Sequence, residues 1–258
     1  MADRQTGLEA QVKRLARALG IKERRARRAD NVPPDFDEGT ARVFRAVAEF
    51  TMTSAERIEA LVNAVRYIVA NRVAGDIVEC GVWRGGSSMA AALTLKELGD
   101  ERRHLYLYDT FEGMSAPTEE DVTLDGVAAK GKFADRQLSE ESSDWCRASL
   151  DEVRLNVART GYPADRVHFI KGKVEATLPA SMPGGPIALL RLDTDWYEST
   201  RHELLHLYPR LVRGGVLIID DYGHWAGARK AVDEYFSTHP PALLLNRIDY
   251  TARIAVKP

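Results

Sequence analysis

Two short runs concentrate carboxylates beside apolar sequence: Leu192-Asp193-Thr194-Asp195-Trp196 and Ile219-Asp220-Asp221-Tyr222. Each follows a run of branched apolar residues, so each sits where a buried strand would end and its side chains would reach a rim. Gathered there without counter-charge, Asp193, Asp195, Asp220 and Asp221 would repel one another and raise each other's pKa; such a set needs Lys, Arg or a bound cation. Oxygen-only donors suit Mg²⁺, Mn²⁺ or Ca²⁺ rather than a sulfur-seeking metal. Any single one of these aspartates can instead cap a helix starting at Asp195 or Asp221, a reading that serves poorly for all four. Arg191 could pair with one of them, but strand alternation sends it to the face opposite Leu192, where it could leave the rim.

A second chemical signal is the turn Glu79-Cys80-Gly81-Val82-Trp83-Arg84-Gly85-Gly86-Ser87-Ser88. Glycines allow close backbone approach, and the free N–H groups of a helix starting at the serines can receive an anion or a carboxylate. The next apolar run ends in Tyr108-Asp109-Thr110; an acid at the tip of a second strand can accept both ribose hydroxyls of a nucleoside. A nicotinamide dinucleotide and an adenosyl cofactor both fit so far. The turn lacks the G-x-G-x-x-G spacing that holds a pyrophosphate, which favours an adenosyl cofactor without phosphates.

These residues need a scaffold that brings strand ends together. From Asp76 onward, the apolar runs DIVEC, HLYLYD, VHFIKG, IALLRLD and VLIIDD alternate with longer segments of mixed polarity, the pattern of a parallel sheet with helices on both faces. Ligands of such sheets bind beyond the carboxyl ends of the strands, where strand order reverses. The tail ALLLNRIDYTARIAVKP reads as a closing antiparallel hairpin turning near Asp249. Ahead of the sheet, Thr53-Ser54 followed by Glu56 opens a helix carrying Ile58, Leu61, Val62, Val65 and Ile68 on one face. Residues 1–50 read as a helical arm: Leu8, Val12, Leu15 and Leu19 form a stripe, a basic run follows at 22–28, and NVPPDFD breaks the periodicity before a helix begins near Glu38. Residues 51–258 then form one domain, and segment 112–143, without clear periodicity, reads as a lid over the site.

Composition narrows the partners. With 36 basic and 38 acidic residues in 258 and a formal net charge of −2, no overall field favours nucleic acid or an anionic membrane. No apolar run approaches the roughly 20 residues of a membrane-spanning helix. Two cysteines do not make a disulfide framework and the N-terminus carries no signal-peptide core, so a cytoplasmic setting is expected. The arm's stripe points to a homo-oligomer.

The runs GDIVECGVWRGGSSM, LYLYDTFEGM, KVEATLP, LLRLDTDWYEST and GGVLIIDDYGHWAGARKAVDEYF together resemble the macrocin O-methyltransferase family, from about Phe50 to the C-terminus. The resemblance implies an α/β class I methyltransferase fold, Rossmann-like and mostly parallel with a C-terminal antiparallel hairpin, in which S-adenosylmethionine lies over the first two strand ends and a divalent metal, Mg²⁺, at the fourth and fifth. It also implies the acceptor, a hydroxyl on the deoxysugar of a glycosylated natural product. By that resemblance Glu79, Gly81, Val82, Trp83 and Ser88 surround the methionine part of the cofactor, Asp109 holds the ribose, and Thr110, Gly172, Lys173 and Val174 line the adenine side. Thr53 and Ser54 close on the cofactor. Asp193, Asp220 and Asp221 are the metal carboxylates, with Asp193 also in the catalytic set, and Asp195 is the general base. Three other readings compete: a catechol or other diol as acceptor, a non-catalytic nucleotide-binding module, and a metal-dependent hydrolase. The last leaves the glycine turn and Asp109 unexplained. His224, Trp145, Tyr197 and Trp225 are possible substrate contacts, with surface or core packing as their ordinary roles.

Overall fold

A computed structural model describes residues 31–258; the Leu8 to Leu19 stripe and the basic run after it lie outside the described residues. The described chain opens with α1 (Glu38–Val47), capped by Asp37, whose side chain accepts from the Thr40 amide at 3.0 Å. Residues assigned to the arm thus reach the main core: Val43, Phe44 and Val47 pack in one apolar cluster with Ile58, Ala90 and Leu189. In α2 (Ala55–Ala70) the Ser54 hydroxyl accepts from the Arg57 amide, as the Thr53-Ser54 signal predicts. Ile58, Leu61, Val62, Val65 and Ile68 are all buried, so the helical stripe in the sequence is the face this helix turns to the sheet.

The sheet contains β1 (Asp76–Cys80), β2 (Leu105–Asp109), β5 (Val167–Lys171), β6 (Ile187–Leu192), β7 (Leu211–Ile219), β8 (Asn246–Arg247) and β9 (Arg253–Val256). Their spatial order is β5-β2-β1-β6-β7-β9-β8. The first five are parallel, while β9 runs antiparallel to β7 and β8 antiparallel to β9. Chain order runs outward from β1 through β2 to β5 and then resumes on the other side of β1 with β6. The switch point therefore lies between β1 and β6.

Every residue of β6 is buried, because helices cover both faces and leave no polar side to the strand. Period-two alternation sends Ile77, Leu107, Leu189 and Ile218 into the core with α1, α2 and α3 (Gly86–Glu97). It sends Val78, Tyr108, Leu190 and Leu217 into the core with α7 (Tyr197–His206) and α8 (Ala226–Thr238).

Segment 112–143 has structure of its own. It contains a bridge between Val122 and Ala128, the short helix α4 (Ala129–Ala134) and the hairpin β3 (Gln137–Ser139) with β4 (Ser142–Ser143). Asp121, fully buried, accepts from the Tyr197 amide at 2.8 Å and the Thr118 amide at 2.6 Å, fastening the segment to the start of α7. Among the described residues no helix is long and apolar enough to cross a membrane.

Candidate active site

The glycine turn after β1 is held by the tip of β2. Asp109 Oδ2 accepts the amide protons of Val82 at 2.7 Å and Trp83 at 3.0 Å, and Oδ1 that of Phe111 at 2.7 Å. Burial raises the Asp109 pKa, and these three amides pull the other way. Gly81, at φ 82°, lies against the end of β6: a Cβ there would come within 1.9 Å of the Asp193 carbonyl oxygen. The Asp193 amide donates to the Cys80 carbonyl at 2.8 Å, so the two strand ends diverge from a shared contact that only glycine permits. Gly81, Trp83, Asp109, Thr110, Gly172, Lys173 and Val174 line one cavity of about 110 Å³.

The other candidates for the cofactor stand elsewhere. Glu79 and Ser88 are buried under the turn and bonded to each other, and Val82 and Thr53 line the neighbouring cavity. The Ser54 hydroxyl caps α2 and donates to Asp249 at 2.7 Å.

The acidic rim has an arginine at its centre. Parallel pairing sets Glu79 opposite Arg191, so both side chains leave the sheet on the α2 face. Arg191 Nη1 donates to Glu79 at 2.6 Å, and Nη2 lies 2.6 Å from Asp220 Oδ1 and 2.8 Å from Asp193 Oδ2. Arg191 therefore stays at the rim as a counter-ion rather than leaving it. A second cation, unforeseen in the sequence, arrives from α2: Arg57 pairs with Asp220 Oδ2 and, at 2.9 Å, with Asp249. Its position is the available signal, since a cation in the first turn of a helix opposes the helix dipole and calls for an acidic partner.

Glu79, Asp193, Asp195, Asp220 and Asp221 outnumber the two guanidiniums. Burial, with repulsion among the aspartates, pushes Asp193 and Asp221 well above the usual carboxylate range. Asp195 is pushed up to about 7 by burial and then by Asp193. One oxygen each from Asp193, Asp220 and Asp221 lies within 4.8 Å of the others. An all-oxygen set with excess buried negative charge fits a hard divalent cation.

Asp195 parts from this trio. The strand ends at Leu192, and Asp195 takes φ 68° in a tight turn closed by the Trp196 amide on the Thr194 carbonyl at 2.8 Å. Its own amide donates to Asp221 at 3.2 Å, and Trp225 Nε1 donates to its Oδ1 at 2.6 Å.

A cavity of about 430 Å³ opens over the acids and adjoins the first one, sharing Met52, Trp83, Cys146, Asp193 and Asp195 with it. Trp145 and Trp225 form one wall and are braced by Trp196, whose ring centroid lies 5.6 Å from Trp145 and 5.1 Å from Trp225. His224 lines the same space with its ring edge-on to Trp225 at 4.7 Å, and burial lowers its pKa. Tyr250, from the β8–β9 turn, and Lys132, with Nζ 4.0 Å from the Trp145 centroid, complete the lining that the sequence left unassigned. Tyr197 turns away, its hydroxyl donating to Glu234 at 2.7 Å.

Against known proteins, the model of the macrocin-O-methyltransferase family (TylF) matches residues 4–256. The chain is 38% identical over 202 residues, 78% of its length and 73% of the relative's, to an 8-demethyl-8-(2,3-dimethoxy-alpha-L-rhamnosyl)-tetracenomycin-C 4'-O-methyltransferase of Streptomyces olivaceus. It is 36% identical over 189 residues, 73% of its length and 71% of the relative's, to a mycinamicin III 3''-O-methyltransferase of Micromonospora griseorubida. Among solved structures, the O-methyltransferase NovP superposes with a TM-score of 0.72 at 28% identity, over 93% of this chain and 98% of that one.

Proposed function

Since the chain belongs to the macrocin O-methyltransferase family of S-adenosylmethionine-dependent O-methyltransferases, we propose that it methylates a hydroxyl on the deoxysugar of a glycosylated natural product, with a divalent cation such as Mg²⁺ in the site. One observation carries this reading: the cavity beyond β1 and β2 and the acid-lined cavity beyond β6 and β7 meet at Asp193 and Asp195. A methyl donor in the first and a hydroxyl in the second come together at that boundary. Relatives that act on rhamnosyl tetracenomycin and on mycinamicin support a sugar-bearing acceptor.

Gly81 and Trp83 would receive the methionine part of the cofactor, Asp109 the ribose, and Thr110 with Gly172, Lys173 and Val174 the adenine side. Asp193, Asp220 and Asp221 would hold the cation, which when bound lowers the pKa of an acceptor hydroxyl and orients its oxygen. S-adenosylmethionine, when bound, would supply the methyl group, the C–O bond to the acceptor forming as the C–S bond breaks and S-adenosylhomocysteine being the leaving product. Asp195, across the turn from Asp193, would accept the hydroxyl proton. Trp145 and Trp225 exclude water and offer flat apolar faces to a sugar ring. Arg191 and Arg57 hold Asp220 in place, so the rim is assembled before ligands arrive.

Calorimetric titration of metal-stripped protein with S-adenosylmethionine and then Mg²⁺ tests the two sites. Asp109→Ala should weaken cofactor binding roughly 10- to 100-fold through loss of hydrogen bonds to a charged group, and Asp193→Ala should abolish the Mg²⁺ heat alone. Cofactor binding untouched by Asp109→Ala would remove the first assignment; Mg²⁺ binding that survives Asp193→Ala would remove the second. Turnover of glycosides set against catechols then decides the acceptor class.

A further inference from the structure

Thr194 stands between the two aspartates of the β6 end, and its hydroxyl turns away from the acids. It donates to Oε1 of Glu203, midway along α7, at 2.9 Å. Glu203 is wholly buried, no ion pair reaches it among the described residues, and besides Thr194 the Cys80 thiol, a weak donor at the end of β1, bonds to its carboxyl. Burial holds its carboxyl well above the ordinary range. A carboxyl so placed works against stability, and the stronger of its polar contacts, to a hydroxyl rather than a thiol, is with Thr194.

What Thr194 anchors is strained. The Trp196 amide closes on the Thr194 carbonyl around Asp195 at φ 68°, a three-residue turn that is rare for a residue with a Cβ. Such a turn persists only where its surroundings over-determine it. From the acid side, Asp221 accepts the Asp195 amide and Trp225 grips its carboxylate. From the opposite face of the sheet, Glu203 accepts from the Thr194 hydroxyl at 2.9 Å, while the Ser199 hydroxyl reaches the Thr194 carbonyl only at 3.5 Å.

We propose that Glu203 is a positioning residue which, through the Thr194 hydroxyl, holds the strained turn that aims the Asp195 carboxylate at the acceptor cavity. Oε1 acts here as an acceptor, so a glutamine serves in its place and an apolar residue of similar bulk does not. That Asp195 then takes a proton rests on the function proposed above, whereas the dependence of the turn on Glu203 stands apart from it.

The test needs neither cofactor nor acceptor. Of the four tryptophans, Trp225 donates its indole N–H to Asp195 at 2.6 Å, and Trp196 donates its own to the Ser115 carbonyl at 3.1 Å. In ¹H–¹⁵N spectra of the full chain, with Trp225→Phe to assign the signal, the Trp225 indole resonance should lie downfield. It should move upfield in Thr194→Val and in Glu203→Leu and stay in place in Glu203→Gln. The double variant Thr194→Val with Glu203→Leu should shift no further than either single one, because both remove the same bond. An unmoved Trp225 signal in Thr194→Val, additive shifts, or a Glu203→Gln spectrum disturbed like that of Glu203→Leu would overturn the proposal. Should Glu203→Leu not fold, Thr194→Val and Glu203→Gln still decide it. A protein that passes this test and methylates nothing would refute the enzymatic reading and leave the turn assignment intact.

Discussion

On the β1–β2 side of the cleft the chain presents backbone: a glycine turn whose amides rest on Asp109. On the β6–β7 side it presents side-chain charge, with Asp193 and Asp220 sharing one Arg191 nitrogen and Asp220 also held by Arg57. The first side is set by backbone conformation, with the Asp109 carboxylate and the missing Cβ of Gly81 as its fixed points. On the second, each charge is stable only through its neighbours, so removing one strands the rest. The cleft thus places a preformed cradle beside an electrostatically loaded rim, and the two touch at Gly81.

The sharpest separation of the two sides comes from Asp220→Asn. With the rim carboxylate gone, turnover should fall roughly 10³-fold, several kcal/mol of transition-state stabilisation. S-adenosylmethionine affinity should stay within about threefold, since no backbone amide of the cradle moves. A kinetic assay paired with calorimetry reads both, and cofactor affinity that falls in step with turnover would erase the distinction. Gly81→Ala should break the distinction from the other direction. A Cβ at φ 82° and 1.9 Å from the Asp193 carbonyl oxygen must push the two strand ends apart, costing about 1–3 kcal/mol in urea unfolding and weakening cofactor and Mg²⁺ binding together.

The smallest effect lies behind the rim. Glu203 has a pKa raised by burial, so the folded state binds its proton more tightly than the unfolded chain does. The cost to stability is absent below the unfolded value near 4.5 and grows as pH rises above it. Glu203→Gln should therefore add about 1–3 kcal/mol at pH 7.5, with the gain disappearing toward pH 4.5. A Tm difference independent of pH would contradict this.

The elements themselves were legible in the residues. Alternating apolar runs and helical stretches marked the five parallel strands and the closing hairpin, and the Ser54 cap and the Ile58 to Ile68 stripe marked α2, because these signals are local. The rim was half legible. The acids at the ends of β6 and β7 announced a charge problem, and its answer lay in partners far along the chain: Arg57 is 163 residues from Asp220, and Glu79 is 112 from Arg191. Lys132 and Tyr250 carried no motif, and only the placement of α4 and the hairpin turn brings them to the cavity.

By itself the sequence determined the strand and helix order, the glycine turn and the density of carboxylates at two strand ends, since propensity, period and capping act over a few residues. The tertiary structure alone decided which charges meet, which way Arg191 points and that the chain turns sharply at Asp195. Those depend on strand register and helix placement, and a register shifted by one residue would send each of these side chains to the opposite face.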